Sequence, residues 1–320
     1  MKILITGGAG YIGSIAAKYL IDSGYEITVA DSLERGNEWA VDPRAEFLKG
    51  DLLDKKFIGK VFSRSFDGVI HFAGYISTGE SIEKPELYYK NNIGSAMNVL
   101  EGMASSGSDN LVFSSSAGIY GDAGIMPISE NSKCSPPSPY GETKLTVEKI
   151  LKRQKIKSIS LRYFNAAGAM PDTGLGEAHL PETHIIPLAI ESAVKGKEFS
   201  LFGTDYPTID GTCVRDYIHV LDLAEAHILA LKALRENKIF FPAYNVGTGK
   251  GYSNKEIILM VEKISGKKIK IKKQERRKGD AAILVADNAL IKKTFGFEPK
   301  HSDLKIIVQT AYNWYLKKIG

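Results

Sequence analysis

Cysteine is scarce in this 320-residue sequence, where Cys134 and Cys213 are the only two. They stand far apart without metal-ligand spacing, which excludes a disulfide framework or a cysteine metal cluster and predicts a reduced, cytoplasmic setting. Long apolar runs are absent too. No stretch approaches the ~18 apolar residues of a membrane span, and the run in "MKILITGG" is too short for a signal-peptide core and reads as a strand. No repeat period or low-complexity tract appears. With 43% apolar and 25% charged residues, the chain is expected to bury a core as a soluble globular protein.

Negative charge is in slight deficit, giving a net +5, and the imbalance is local: Lys263 to Lys278 holds nine basic residues. A nucleic-acid surface could use such a run. In "KKIKIKK", however, Lys268, Lys270 and Lys272 alternate with Ile269 and Ile271, the pattern of a strand with one wet face whose lysines block edge pairing. Neither a nucleic-acid nor a membrane partner is expected.

What is present is a regular alternation. Apolar runs and amphipathic stretches succeed one another: "KILIT", a helix from about Ile12 to Ser23, "EITVAD", a strand ending near Gly50, "GVIHFAG", a helix around Leu87 to Met103, and "NLVFSSS". This is the rhythm of an α/β protein with a doubly wound parallel sheet. A further helix opens at "SPYGETK", where Ser138 can cap and Pro139 suits the first turn, and the strand "SISLRYFN" follows. After Asn165 the rhythm breaks into "AAGAMPDTGLGEAHLPETH", before a helix beginning near Pro187. The main boundary is placed there. Later come a helix at Val220 to Leu234, a strand "AYNVG", a helix from Ser253, the lysine strand and a last helix from about Leu304 to Lys317.

Gly7, Gly8, Gly10 and Gly13 lie between the first strand and the first helix, and "GAGYIG" from Gly8 fits G-x-G-x-x-G. Such a turn brings backbone N–H groups and a helix N-terminus against a pyrophosphate, so large side chains are excluded. Asp31 ends the second strand, where a carboxylate accepts hydrogen bonds from the adenosine ribose and repels a 2′-phosphate; NAD is therefore favoured over NADP, with Arg35 nearby working slightly the other way. Asp51, at the end of the third strand, either reaches the adenine or caps a helix from Leu52 onward. The expected architecture is a Rossmann-type domain over 1–165, with segments returning from within 216–249, and a smaller C-terminal α/β substrate domain over 166–320.

Ser114, Ser115 and Ser116 end the strand "NLVF" at the carboxyl edge where ligands bind in such sheets, though serines there are also plain turn formers. Tyr140 and Lys144, in "PYGETK", lie one helical turn apart on one face. With 15 tyrosines in 320 residues, about 1.5 such spacings are expected by chance, so position must supply the meaning. Bringing a phenol from ~10 to ~7 requires about 4 kcal/mol. A charge at ~4 Å supplies about 1 kcal/mol in water and about 4 at an effective dielectric near 20. The pair makes a base only in a cleft that excludes bulk water.

The combination of "GGAGYIG", Asp31, "FSSSAGIYG", "PYGETK" and "LRYFNAAGA" resembles the extended short-chain dehydrogenase/reductases. "FGTDYPTIDGTCVRDYIHV", "YNVGTGKGYS" and "RRKGD" resemble the UDP-glucose 4-epimerases among them, nearly end to end. The resemblance implies Tyr140 as the base for the sugar 4-hydroxyl, Lys144 as its tuner and holder of the nicotinamide ribose, and Ser116 as partner of the 4-oxygen. It implies NAD contacts at Gly7, Gly10, Tyr11, Ile12, Gly13, Asp31, Ser32, Gly36, Asp51, Leu52, Phe72, Ala73, Gly74, Asn91, Ser114, Tyr163 and Phe164. UDP-sugar contacts would come from Asn165, His184, Ile185, Ser200, Leu201, Phe202, Arg215, Arg277 and Asp280, the arginines as diphosphate partners.

The sequence also departs from that pattern. Ile76 stands where many members carry a lysine, so looser NAD retention is expected. His184 replaces an asparagine of some members. Leu284 replaces a tyrosine that closes the sugar pocket in some, and either goes with acceptance of N-acetylhexosamines or merely packs the strand "AILVA". Nucleotide-sugar 4,6-dehydratases and decarboxylases on this fold place acids after the strand-end serine or threonine; here Ala117 and Gly118 stand there, which disfavours elimination. Asp31 disfavours a reductase using NADPH, and a non-catalytic dinucleotide sensor would not need Tyr140, Lys144 and Ser116 together. A homodimer through helices near 86–106 and 139–155 is implied by the resemblance alone.

Overall fold

The computed structural model describes residues 1–237, 242–277 and 280–319. Along the first half run β1 (Lys2–Thr6), α1 (Tyr11–Asp22), β2 (Glu26–Asp31), β3 (Glu46–Lys49), α2 (Lys55–Val61), β4 (Gly68–His71), α3 (Thr78–Glu83), α4 (Pro85–Tyr88), α5 (Gly94–Ser106), β5 (Asn110–Ser116), α6 (Pro139–Leu151) and β6 (Lys157–Tyr163). Then come β7 (Asn165–Ala167), α7 (Ile185–Lys195), β8 (Glu198–Phe202), β9 (Val214–His219), α8 (Val220–Arg235), β10 (Ala243–Val246) and β11 (Gly251–Ser253). The chain ends with α9 (Asn254–Ser265), β12 (Lys270–Gln274), β13 (Ile283–Leu284), α10 (Ala289–Phe295) and α11 (Leu304–Ile319).

The main sheet has seven parallel strands in the order β10-β6-β5-β4-β1-β2-β3. Its strands are apolar on both faces because helices cover both. Ile3, Ile5, Ile70, Val112 and Leu161 pack toward α1 and α8, and Leu4, Val69, Leu111 and Phe113 pack toward α2, α5 and α6. The winding reverses between β1 and β4, which leaves a crevice beyond the carboxyl ends of these strands. A Rossmann-type fold results, as the sequence rhythm predicts. β10 returns to the edge of this sheet beside β6 after the chain has left it.

The remaining strands build a smaller assembly on β9, which pairs with β11, β13 and β7, while β8 and β12 form a two-stranded parallel pair. Ile186 and Ile190 of α7, Ile257 and Val261 of α9, and Ile307 and Val308 of α11 share its core. Ser253 caps α9 with a capping box completed by Glu256.

Three local expectations are corrected. The lysine strand exists, but Ile271 is 45% exposed while Ile269 is buried; pairing only with β8 leaves both faces of β12 wet over Lys270–Lys273. Asp51 does not cap a helix from Leu52: α2 starts at Lys55 and Asp54 caps it through the amide of Lys56, while Asp51 accepts from Leu53 at 2.8 Å in a local turn. The helix expected around Leu87 to Met103 is interrupted by a π turn over Tyr89–Ile93 between α4 and α5.

Candidate active site

A cavity of about 860 Å³ opens beyond the carboxyl ends of β1, β2, β4, β5 and β6. Every residue expected to touch NAD lines it, from Gly7 to Phe164, and so do Ser116, Tyr140, Asn165, His184, Ile185 and Leu284.

The glycine turn is built for an anion. Gly7 has φ +72°, and a Cβ there would lie 2.6 Å from the amide nitrogen of Ala73, so only glycine fits. A Cβ on Gly13 would overlap the carbonyl oxygen of Gly7. No side chain caps α1 and no acid stands in its first turn, which keeps its N-terminal amides and positive dipole end available to a pyrophosphate. Asp31 is held at the next strand end by the amides of Ala9 at 3.0 Å and Leu33 at 2.8 Å. Burial pushes its carboxyl up, and those two amides oppose the shift; a carboxylate has lone pairs left for a ribose hydroxyl. The residues present fit a bound NAD. Gly13→Ala is expected to abolish NAD retention, read as loss of the cofactor's absorbance from the purified protein.

Deeper in the cavity, Ser138 caps α6 through the amide of Gly141 at 3.3 Å, with Pro139 in the first turn. One turn on, Tyr140 and Lys144 face β5. The Lys144 ammonium donates to the carbonyl of Ser114 at 2.7 Å and lies 5.9 Å from the Tyr140 ring centroid. Burial pushes Lys144 down to about 8, so it is still mostly charged at neutral pH. Burial raises the Tyr140 phenol, and a hydrogen bond with Ser116 offsets only part of this. The Ser116 hydroxyl accepts from the amide of Gly118 at 3.0 Å, which fixes it at the strand end. Tyr163, next to this group, bonds the Nε2 of His227 at 2.6 Å and is thereby tied to α8.

The expected UDP-sugar residues fall into two groups. Asn165, His184, Ile185 and Leu284 are on the cavity wall; Leu284 also packs on the cluster of Ala117, Ile119 and Phe164. Ser200, Leu201, Phe202, Arg215, Arg277 and Asp280 are not on that wall. They form a neighbouring set on β8, β9 and the segment after β12, with Arg277 4.2 Å from the Phe202 ring and Arg215 3.7 Å from Asp280. The Leu201 side chain is in the core, and Leu201 pairs with Lys273 of β12. Of the motif "RRKGD", Lys278 and Gly279 lie outside the described residues.

Residues 3–247 match the model of the NAD dependent epimerase/dehydratase family. The chain belongs to this family. It is 44% identical to a UDP-glucose 4-epimerase of Lacticaseibacillus casei, over 98% of this chain and 97% of that protein. Among solved structures it is similar to UDP-glucose 4-epimerase from Brucella ovis in complex with NAD, with a TM-score of 0.93 and 40% identity over 98% of this chain and 97% of that one. It is also similar to the Bifidobacterium longum UDP-glucose 4-epimerase in complex with NAD+ and UDP, with a TM-score of 0.91 and 34% identity over 100% and 99% of the chains.

Within this epimerase/dehydratase member, sequence reading missed the residues around Ile76. Ile76 is 44% exposed on the cavity wall. Beside it, Arg35 grips both oxygens of Glu80 at 3.0 and 3.1 Å and lies 4.8 Å over the Tyr75 ring, while the Tyr75 hydroxyl donates to Glu34 at 2.7 Å. Arg35 thus has protein partners at this side of the cavity. These cross-links join the segment after β2 to that after β4 at one side of the cavity. Arg35→Ala is expected to speed NAD release several-fold, measured by dilution of loaded protein into a NAD-scavenging assay. No periodicity announces such a clasp; only the proximity of Arg35 to Asp31 hinted at it.

Proposed function

We propose that this protein is an NAD-dependent UDP-hexose 4-epimerase interconverting UDP-galactose and UDP-glucose. The observation that carries the reading is the convergence of Tyr140, Lys144 and Ser116 on one cavity wall beside the glycine turn, with Ala117 and Gly118 leaving no acid for elimination. Residues 1–165, with the returning β10, would hold NAD: Gly7, Gly10, Tyr11, Ile12 and Gly13 at the pyrophosphate, Asp31, Ser32 and Gly36 at the adenosine ribose, and Asp51 and Leu52 at the adenine. Phe72 to Gly74, Asn91, Ser114, Tyr163 and Phe164 would line the nicotinamide end. Residues 166–320 would hold the UDP-sugar.

Bound there, NAD supplies a reversible hydride acceptor for C4 of the sugar. Tyr140 takes the proton of the 4-hydroxyl and returns it, and Ser116 orients that oxygen. Lys144 keeps positive charge beside the phenol. The hexose, in its 4-keto form, must present its other face before reduction, so the protein has to anchor UDP firmly and the sugar loosely. Arg215 and Arg277 suit the firm end as charge-assisted diphosphate partners. A homodimer and a cytoplasmic setting accompany this reading; among the described residues no helix is long and apolar enough to cross a membrane.

The test is direct. Folded, NAD-loaded protein incubated with UDP-galactose should yield UDP-glucose with no net NADH, and absence of interconversion sinks the proposal. Leu284, on the wall and half-buried, favours acceptance of N-acetylated sugars as an added property. Leu284→Tyr is expected to lower UDP-N-acetylglucosamine turnover about tenfold or more while leaving UDP-galactose turnover within about threefold. Equal effects on both would remove Leu284 as the gate.

A further inference from the structure

Four side chains in the segment that leads into α7 play no part in the hydride and proton chemistry just described. Glu177, His179, Glu182 and His184 each offer one ligand atom, and these four atoms lie within 4.8 Å of one another. His179 Nδ1 lies 3.1 Å from Glu177 Oε1, His184 Nδ1 lies 3.5 Å from Glu182 Oε1, and His184 Nδ1 also bonds Glu177 Oε1. A tetrahedral ion bound at ~2.0–2.1 Å spaces its ligands about 3.3 Å apart; the His179–Glu177 and His184–Glu182 pairs stand near that spacing, and the direct His184–Glu177 bond has to open to admit the ion.

The surroundings suit a metal as well as the donors do. Glu177 is 7% exposed. Glu182 Oε1 accepts from the amides of Thr183 at 2.7 Å and His184 at 2.9 Å, which fixes that carboxylate as outer-shell partners do in metal sites. The Tyr11 ring meets His179 edge-on at 6.2 Å and limits its rotation. Because metal ligands bind deprotonated, two carboxylates and two imidazoles would carry −2 around a bound ion and neutralise a divalent one. Imidazole with carboxylate selects a borderline transition metal, whereas Mg²⁺ and Ca²⁺ prefer all-oxygen shells.

We infer that Glu177, His179, Glu182 and His184 form a binding site for one divalent transition-metal ion of the Zn²⁺ class on the wall of the active-site cavity. Its readout, metal binding, is separate from the epimerase assay, so failure of the substrate reading and failure of this site are told apart. It shares His184 with that reading, so a bound ion changes the wall a UDP-sugar would meet.

The experiment uses the full chain with NAD as purified, stripped of metal by a chelator and titrated with ZnCl₂ by calorimetry and with CoCl₂ by visible absorption. One saturable equivalent is expected, with the d–d bands of a four-coordinate cobalt ion. Outer-shell partners alone are worth about 10–100-fold in affinity, so His179→Ala should weaken binding by at least about tenfold, and Glu182→Gln should weaken it measurably. Both positions are partly exposed, and circular dichroism of each variant checks folding. Absence of saturable binding overturns the inference, leaving a hydrogen-bonded His–Glu cluster. Binding that survives both substitutions unchanged also overturns it, since the ion would then sit elsewhere.

Discussion

Tyr140→Phe is expected to lower kcat for UDP-galactose by about 10²–10⁴-fold, the range for loss of a positioned general acid–base, with UDP affinity little changed. The reason lies in what burial does to the site. A closed cleft strengthens the attraction between a phenolate and the Lys144 ammonium. The same closure raises the Tyr140 phenol and lowers Lys144 to about 8. In the protein alone, therefore, the proton stays on Tyr140 at neutral pH. On the proposed function, Tyr140 would become a base only with a second positive charge beside it, the one a bound nicotinamide would bring. The phenol should accordingly titrate lower in NAD⁺-loaded protein than in NAD-free protein, detectable as phenolate absorbance that Tyr140→Phe removes. A variant that keeps nearly full activity would show that another group carries the proton.

Most of what made the fold legible was the burial of its strands. A parallel sheet covered on both faces needs continuous apolar runs, and "KILIT", "GVIH" and "NLVF" supply them as β1, β4 and β5. The glycine turn was legible because steric exclusion leaves glycine alone at Gly7 and Gly13. The π turn at Tyr89–Ile93 was not, since one widened turn barely disturbs a helical pattern. It nevertheless puts Asn91 on the cavity wall and lets Asn92 hold the backbone of Tyr75 at 2.8 and 3.1 Å. β13 was overestimated as "AILVA" because only Ile283 and Leu284 pair with β9 as a ladder, while Ala286 makes an isolated bridge with Ile128. The arginine group was reached only through resemblance: Arg215 and Arg277 are brought near one another by pairings of β9 and of β8 with β12, none of which local sequence announces. The same holds for His179 and Glu177, where a loop carries no period to read.

Glu148→Ala is expected to destabilise the protein by about 3–5 kcal/mol, the usual result of stranding one member of a buried ion pair, and to lower its Tm by on the order of 10 °C. Glu148 lies one turn beyond Lys144 on α6, and its carboxylate takes two hydrogen bonds from Arg162 on β6, at 3.0 and 2.7 Å. Their side chains are 3% and 5% exposed. Arg162 also donates to the Tyr120 hydroxyl at 2.7 Å, and that hydroxyl donates to Asn245 on β10 at 2.7 Å. The pair therefore ties α6 to the returning edge strand. It also reaches the site, because the Ser115 hydroxyl donates to Glu148 at 2.5 Å, one residue from Ser116. Glu148→Ala should thus disturb both stability and the strand end that presents Ser116. The paired change Glu148→Leu with Arg162→Met separates the two effects. Replacing a whole buried ion pair by apolar residues is often neutral or stabilising, so Tm should recover in the double variant. If kcat stays depressed at that restored Tm with KM little changed, the network positions the serine; if kcat returns with Tm, its role is stability alone.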